Sequence, residues 1–68
     1  MALSARNVLK GKVKDIKKGP VMAEVTVEVA SGVSVVSVIT ANSTDRLGLD
    51  VGKEVEIVIK ATSVMLNA

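Results

Sequence analysis

The sequence predicts an all-β fold of five strands in a single domain spanning residues 1–68. Two observations support this fold class. Valine supplies much of the apolar content, and β-branched side chains favour strands. Apolar and polar residues also alternate with a period of two in the clearest runs, which is typical of strands with one buried face. A chain of 68 residues is long enough for one domain and no more.

The first strand is predicted from about Asn7 to Lys17, and the second strand follows a short turn. Gly11 interrupts the first run, a position that suggests a bulge or a sharp bend. Pro20 closes the turn, because a residue without an N–H group belongs at the edge or first position of a strand. The second strand is predicted to have one apolar face. That face carries Val21, Ala23, Val25, Val27 and Val29.

A third strand from Val33 to Ile39 follows the turn at Ser31-Gly32, so strands two and three are predicted to form a hairpin. Apolar residues occupy both faces of this strand, with Val36 and Val38 on the second face. A strand that is apolar on both faces is expected to be buried on both faces. We therefore predict that one face packs in the domain core and that the other meets a neighbouring subunit.

The rest of the chain predicts one short helix and two further strands. The segment from Thr40 to Leu47 breaks the strand pattern, contains helix-capping residue types at 43–45 and ends at Gly48. Glu54 to Lys60 alternates again, and Val64 to Leu66 predicts a last short strand. Five strands with a helix between the third and fourth are typical of an OB-like Greek-key barrel. A fragment of a β-sandwich is the alternative.

The residue types present exclude most catalytic and metal chemistry. The chain has no Cys and no His, so it lacks thiol nucleophiles, imidazole bases and disulfides. Its carboxylates would suit only a hard cation, and those at Glu24, Glu28, Glu54 and Glu56 have the spacing of a solvated strand face. We therefore expect neither an enzyme nor a bound metal cation. A domain this small is then expected to rely on oligomerisation for its stability.

Aromatic residues are absent from the whole sequence. Single-stranded nucleic acid is normally held by bases that stack on aromatic rings, and a net charge of +2 gives only a weak electrostatic attraction. No nucleic-acid partner is therefore expected. The first residues lack the apolar core of a signal peptide, and no apolar run approaches the roughly 20 residues of a membrane span. The sequence predicts a cytoplasmic protein with no membrane partner.

Non-aromatic side chains that can donate hydrogen bonds are concentrated at the predicted strand ends. They are Ser4, Arg6, Asn7, Thr40, Asn42, Ser43, Thr44, Lys60, Thr62 and Ser63. A tetrahedral dianion only accepts hydrogen bonds, so it needs such N–H and O–H groups together with one or two cations. Considered singly, Arg6 and Lys60 are more typical of solvated surface charges, and Ser43 and Thr44 of helix caps. The residues together favour anion binding and leave the identity of the anion open.

Five motifs along the chain together resemble the molbindin (Mop) family. They are Ser4-Ala5-Arg6-Asn7, Lys10-Gly11-Lys12-Val13, Ile39-Thr40-Ala41-Asn42-Ser43, Leu47-Gly48-Leu49 and Ile59-Lys60-Ala61-Thr62-Ser63-Val64-Met65. The resemblance covers essentially the whole chain, and the motifs follow the order of the family. It implies an OB-like barrel and a homo-hexamer built as a trimer of dimers. It also implies that molybdate or tungstate is bound between subunits, for storage or homeostasis, without an organic cofactor.

The same resemblance implies which residues would hold the oxyanion. Those from one chain are Ser4, Ala5, Arg6, Lys60, Ala61 and Thr62. Those that would reach the anion from the neighbouring subunit are Thr40, Asn42 and Ser43. A second oxyanion site is implied near the three-fold axis, at Lys18, Gly19, Pro20 and Val21, where Pro20 offers no backbone donor. The alternative function is an OB-type module that binds nucleic acid or protein and has no anion function.

Overall fold

A computed structural model describes residues 5–68 as one antiparallel sheet with a short helix. The strands are β1 (Asn7–Lys18), β2 (Met22–Ala30), β3 (Val33–Thr40) and β4 (Glu54–Ile59). An α-helix, α1 (Ala41–Arg46), follows β3 directly, and a 3-10 helix (Ala61–Ser63) follows β4. The strand order across the sheet is β3-β2-β1-β4. The predicted all-β, OB-like fold with one short helix between the third and fourth strands is thereby confirmed.

The hairpin predicted from the second and third strands is present as β2 and β3. Gly32 in its turn has a φ of 75°, a left-handed conformation that glycine adopts without steric cost. The outward face of β3 carries Val36 and Val38, whose exposed fractions are 58% and 61%. Contact between this face and a neighbouring subunit stays a prediction.

β1 is the strand that joins the two halves of the sheet. Residues 7–12 pair with β4, and residues 12–18 pair with β2. The bulge expected at Gly11 is not there, because the pairing with β4 runs through that residue without a shift. The register shift lies instead between Val13 and Asp15. There the backbone N–H and carbonyl of Val13 bond the turn before β4, at 2.9 and 2.8 Å, where the ladder to β2 is interrupted.

Gly11 is needed for a different reason, which is the close approach of β2. A Cβ atom at this position would lie 2.7 Å from the Glu28 carbonyl oxygen and 2.7 Å from Val27 Cγ1. We predict that Gly11→Ala lowers the free energy of unfolding by about 1–3 kcal/mol, the usual cost of overpacking a filled site. Urea denaturation at a fixed protein concentration would measure it. The control is Ser34→Ala, at an exposed position of β3, and should stay within about 0.5 kcal/mol of the parent. Equal stability of Gly11→Ala and the parent would mean that β2 can move aside without cost.

The core of the domain is small and entirely aliphatic. Val13, Val25 and Val27 are 2–3% exposed and form its centre. Partly buried side chains pack around them, namely Ile16, Ile39, Leu49, Val55 and Ile57. The predicted apolar face of the second strand is confirmed at Ala23, Val25 and Val27, whereas Val21 precedes β2 and is 67% exposed.

The prediction of five strands is wrong for the described chain, which has four. Within residues 5–68 the sheet has four strands and is not closed, so β3 and β4 are its two edges. After β4 the chain forms a turn at 60–64 that closes two backbone hydrogen bonds on itself, at 2.9 and 3.3 Å. Beyond it Met65 and Leu66 are 92% and 94% exposed. Of the segment predicted as a strand, only the Val64 N–H is bonded by this turn, and Met65 and Leu66 stay unpaired within the described chain.

Candidate functional site

Arg6 and Lys60 lie at the same end of two neighbouring strands. The terminal pair of the β1–β4 ladder is Asn7 with Ile59, so the two cations flank this pair from outside the sheet. The side-chain amide of Asn7 donates a hydrogen bond to the Ile59 carbonyl at 3.3 Å, which ties the two strand ends together. Both cationic side chains are exposed, and neither forms an ion pair with any part of the chain from residue 5 onward.

The other residues predicted for this end of the sheet follow or precede the two cations. Lys60 is the residue before the 3-10 helix that contains Ala61 and Thr62, and all three are exposed. Ala5 is half-buried beside Arg6. Ser4 lies outside the described residues. The structure therefore collects five of the six residues predicted from one chain around the β1–β4 end.

A second group of donors is organised around the start of α1. Thr40, the last residue of β3, is the N-cap of the helix, and its Oγ1 accepts a hydrogen bond from the Ser43 N–H at 3.1 Å. The Thr40 hydroxyl donates to Ser43 Oγ at 2.7 Å, and the Arg46 guanidinium donates to the same oxygen at 3.1 Å. Because Ser43 Oγ already accepts two hydrogens, its own O–H is left to donate outward.

The helix cap differs from the one that the residue types suggested. The capping types at 43–45 do not begin the helix, because α1 starts directly after β3 and the extended residue Thr40 takes the cap. Thr44 is instead buried, 4% exposed, and donates to the Ala41 carbonyl at 2.6 Å. Asn42 is exposed on the same short helix. Arg46 was not predicted as part of this group, and its spacing of three residues from Ser43 on a helix is the signal that could have identified it.

The turn predicted as a second oxyanion site packs against this same helix. Met22, just after the turn, pairs with Thr40, and the Ala41 N–H donates to the Val21 carbonyl at 2.7 Å. The Gly19 N–H donates to the Met22 carbonyl at 2.8 Å, so it is already used within the turn.

Lys18, the cation of this turn, already has a partner of opposite charge. The Lys18 ammonium forms an ion pair with the Asp45 carboxylate of α1. A carboxylate so close to Lys18 works against an anion there, because like charges repel. With Gly19 bonded and Pro20 lacking an N–H, the turn keeps few free donors in a single chain.

The two groups of predicted ligands lie at opposite ends of β1. Asn7 at its start neighbours the Arg6 and Lys60 end, whereas Lys18 at its end pairs with Ala23, next to the Thr40 end of β3. Across residues 5–68 no hydrogen bond or ion pair joins the two groups. Within one chain the two groups are therefore separated by the length of β1.

Apart from Asp45 and Asp50, the carboxylates lie on the strands. Lys10 and Lys12 of β1 pair across the sheet with Glu56 and Glu54 of β4. The pKa of Glu28 is lowered, first by a hydrogen bond and then by the charge of the Lys14 ammonium 2.8 Å away. Over residues 5–68 no three His, Cys, Asp or Glu side chains come together in a way that could hold a metal ion. None of the helices in this range is long and apolar enough to cross a membrane.

Similar proteins match this chain over its full length. A family model described as the TOBE domain matches residues 3–66. Molybdenum-pterin-binding protein 3 of Clostridium pasteurianum is 52% identical over 68 residues, which are 100% of both chains. A solved molybdate-binding protein from Sporomusa ovata has a TM-score of 0.94 at 37% identity, and the match covers 100% of both chains. The cytoplasmic molybdate-binding protein ModG, solved with molybdate bound, has a TM-score of 0.85 at 44% identity, over 90% of this chain and 43% of its own.

Proposed function

We propose that this chain, which belongs to the TOBE domain family, binds molybdate or tungstate at seams between its subunits. One observation carries the proposal. Two donor groups, each with a cation, lie at opposite ends of β1, and we infer that two chains bring one group each to a shared anion. The similarity to molybdate-binding proteins supplies the identity of the anion.

Each side of the proposed seam has a defined chemical task. On one side Arg6 and Lys60 neutralise the dianion, the first through a planar fork of N–H donors and the second as a compact charge. Ser4, Thr62 and the backbone near Ala5 and Ala61 add short donors. On the other side the Ser43 hydroxyl, oriented by Thr40 and Arg46, donates to the anion, and Asn42 lies beside it.

The proposed assembly is a hexamer built as a trimer of dimers, in the cytoplasm, with a role in molybdate storage or homeostasis. Support for the cytoplasm comes from ModG, which is described as a cytoplasmic molybdate-binding protein. A small aliphatic core without disulfides also favours assembly, because such a domain buries little surface alone. Static light scattering tests this part, and a mass of one chain at micromolar concentration would contradict it.

Calorimetric titration of molybdate into the purified protein tests the proposed function. We expect saturable heat at micromolar protein and a stoichiometry of about one anion per chain, because each chain contributes one half to each of two equivalent seams. Titration with tungstate should give a similar curve, since both are tetrahedral dianions. No saturable heat with either anion would overturn the proposal.

A second oxyanion site at Lys18, Gly19, Pro20 and Val21 is a separate proposal with its own readout. In the single chain, Lys18 is paired with Asp45 and the Gly19 N–H is used. A second site would therefore need donors from further copies around the three-fold axis. A stoichiometry clearly above one anion per chain would support it, and a stoichiometry of one would exclude it.

The names of the relatives raise molybdenum-pterin as a second candidate ligand. A pterin ring would normally be held by stacking on an aromatic side chain, and this chain has no Phe, Tyr or Trp. The donor groups described above match an acceptor-only oxyanion without a ring. We therefore propose the bare oxyanion as ligand, without an organic cofactor and without catalysis. Tight binding of a reduced pterin in the absence of molybdate would favour the second candidate.

An OB-type nucleic-acid or protein-interaction module is the alternative function. Salt-sensitive retention of an oligonucleotide near physiological ionic strength, together with no molybdate heat, would favour it over the proposal.

A further inference from the structure

A cation outside the predicted ligand set lies beside the Ser43 hydroxyl. Arg46 is the last residue of α1, and its guanidinium donates a hydrogen bond to Ser43 Oγ at 3.1 Å. The side chain is exposed, and within residues 5–68 it forms no ion pair. A guanidinium has five N–H donors, and Ser43 uses one of them. The charge of Arg46 and most of its donors are therefore available to another group.

The carboxylate next to Arg46 in the sequence is already neutralised. Asp45 forms its ion pair with the Lys18 ammonium of β1. Successive residues of a helix also point in different directions, so the side chains of Asp45 and Arg46 do not face each other. Because Asp45 and Arg46 are the only charged residues of α1, the pairing with Lys18 leaves the charge of Arg46 uncompensated on this helix.

Arg46 and Ser43 are placed to contact two oxygens of one tetrahedral anion. Ser43 Oγ accepts from the Thr40 hydroxyl at 2.7 Å and from Arg46 at 3.1 Å, so its own O–H donates outward. The remaining N–H groups of the guanidinium lie close to that hydroxyl, because the fork is rigid and one of its N–H groups already bonds Ser43. An anion oxygen that accepts the Ser43 hydrogen is therefore within reach of Arg46.

We infer that Arg46 is a third cation of the oxyanion site and that it determines which anion charge the site prefers. The inference rests on the proposed function, because it adds Arg46 to the Thr40 and Ser43 side of the same seam. Together with Arg6 and Lys60 from the other chain, three cations then surround one dianion. At a given distance a cation attracts a dianion twice as strongly as a monoanion, so Arg46 favours dianions over monoanions of the same shape.

Arg46→Gln tests the charge, because Gln keeps amide N–H donors and loses the cation. Calorimetric titration should show molybdate affinity falling about 10- to 100-fold, whereas Arg46→Lys, which keeps the charge, should lose less. Lys12→Gln is the matched control, since it makes the same kind of change at an exposed position in the middle of β1, and its affinity should stay close to the parent's. Equal molybdate affinity of Arg46→Gln and Lys12→Gln would overturn the inference. Absence of molybdate heat from the parent itself would instead overturn the proposed function.

Anion preference gives a second readout, which a merely structural role of Arg46 would not move. Tungstate and perrhenate are tetrahedral oxyanions of nearly the same size, the first a dianion and the second a monoanion. Tungstate affinity is measured by calorimetry, and perrhenate affinity by its competition with tungstate at constant ionic strength. The parent should prefer tungstate, and Arg46→Gln should reduce that preference about 3- to 10-fold, because the dianion loses twice the attraction that the monoanion loses. An unchanged preference would mean that Arg46 does not select the charge. If perrhenate competes with neither protein, the loss of tungstate affinity relative to Lys12→Gln decides.

Discussion

Replacing either Arg6 or Lys60 with Ala should weaken molybdate binding by about 30-fold to a few thousand-fold, which corresponds to about 2–5 kcal/mol. The two side chains flank the terminal pair of the β1–β4 ladder, so they approach an anion there from neighbouring strands. A dianion held between two chains is largely desolvated, and removing one of two cations leaves its charge poorly compensated. Calorimetric titration of each variant measures the change in affinity.

Two control variants distinguish a specific binding site from general electrostatic attraction between molybdate and the protein. Lys12→Ala removes the same charge from an exposed position in the middle of β1, away from both donor groups, and its affinity for molybdate should stay close to the parent's. Arg6→Lys keeps the charge but loses the planar fork, so an intermediate loss is expected. Because Arg6 and Lys60 are exposed in the single chain, melting temperatures without anion should change little. Unchanged affinity in both Ala variants would place the site elsewhere.

The strands and the helix could be predicted because local burial leaves a local pattern. Alternation along β2 follows directly from its buried inward face at Val25 and Val27. The fifth strand was predicted from the same kind of pattern at Val64–Leu66 and is absent from the sheet. A strand exists only through pairing, and residue alternation does not say whether the partner edge belongs to the same chain. The register shift lies between Val13 and Asp15 and not, as predicted, at Gly11. A glycine in a strand can mark either a bulge or the close approach of a neighbouring strand, and the sequence does not distinguish the two.

The candidate site was predictable in part for similar reasons. Arg6 and Lys60 are far apart in sequence, and only the strand order makes them neighbours. The ion pair between Lys18 and Asp45 joins two distant segments, so no motif could indicate it. The resemblance to the molbindin family is confirmed by relatives that match the full length of the chain. The family resemblance assigned the ligands of one site to two chains. The two donor groups lie at opposite ends of β1, which agrees with that assignment.

Mixing two binding-deficient variants should restore molybdate sites, and this is the sharpest consequence of a seam between chains. One variant carries Arg6→Ala and Lys60→Ala, and the other carries Ser43→Asp, which sets a carboxylate where the hydroxyl would donate. Each alone should show no saturable heat at the concentrations used for the parent. If the two are unfolded together and refolded at equal amounts, about a quarter of the seams should combine the intact side of each, assuming random assembly.

The fraction of restored sites separates a shared site from one built within a single chain. Ser43→Asp leaves the Thr40 cap in place and sets the new carboxylate beside Arg46, so the helix start should survive. The matched control is a mixture of Arg6→Ala chains with Lys60→Ala chains. Its two lesions fall on the same side of the seam, and mixing cannot return Arg6 and Lys60 to one chain end. Recovery in the first mixture with none in the control would be explained only by ligands from two chains. Absence of recovery in both, although native mass spectrometry shows mixed oligomers, would mean that each site lies within one chain.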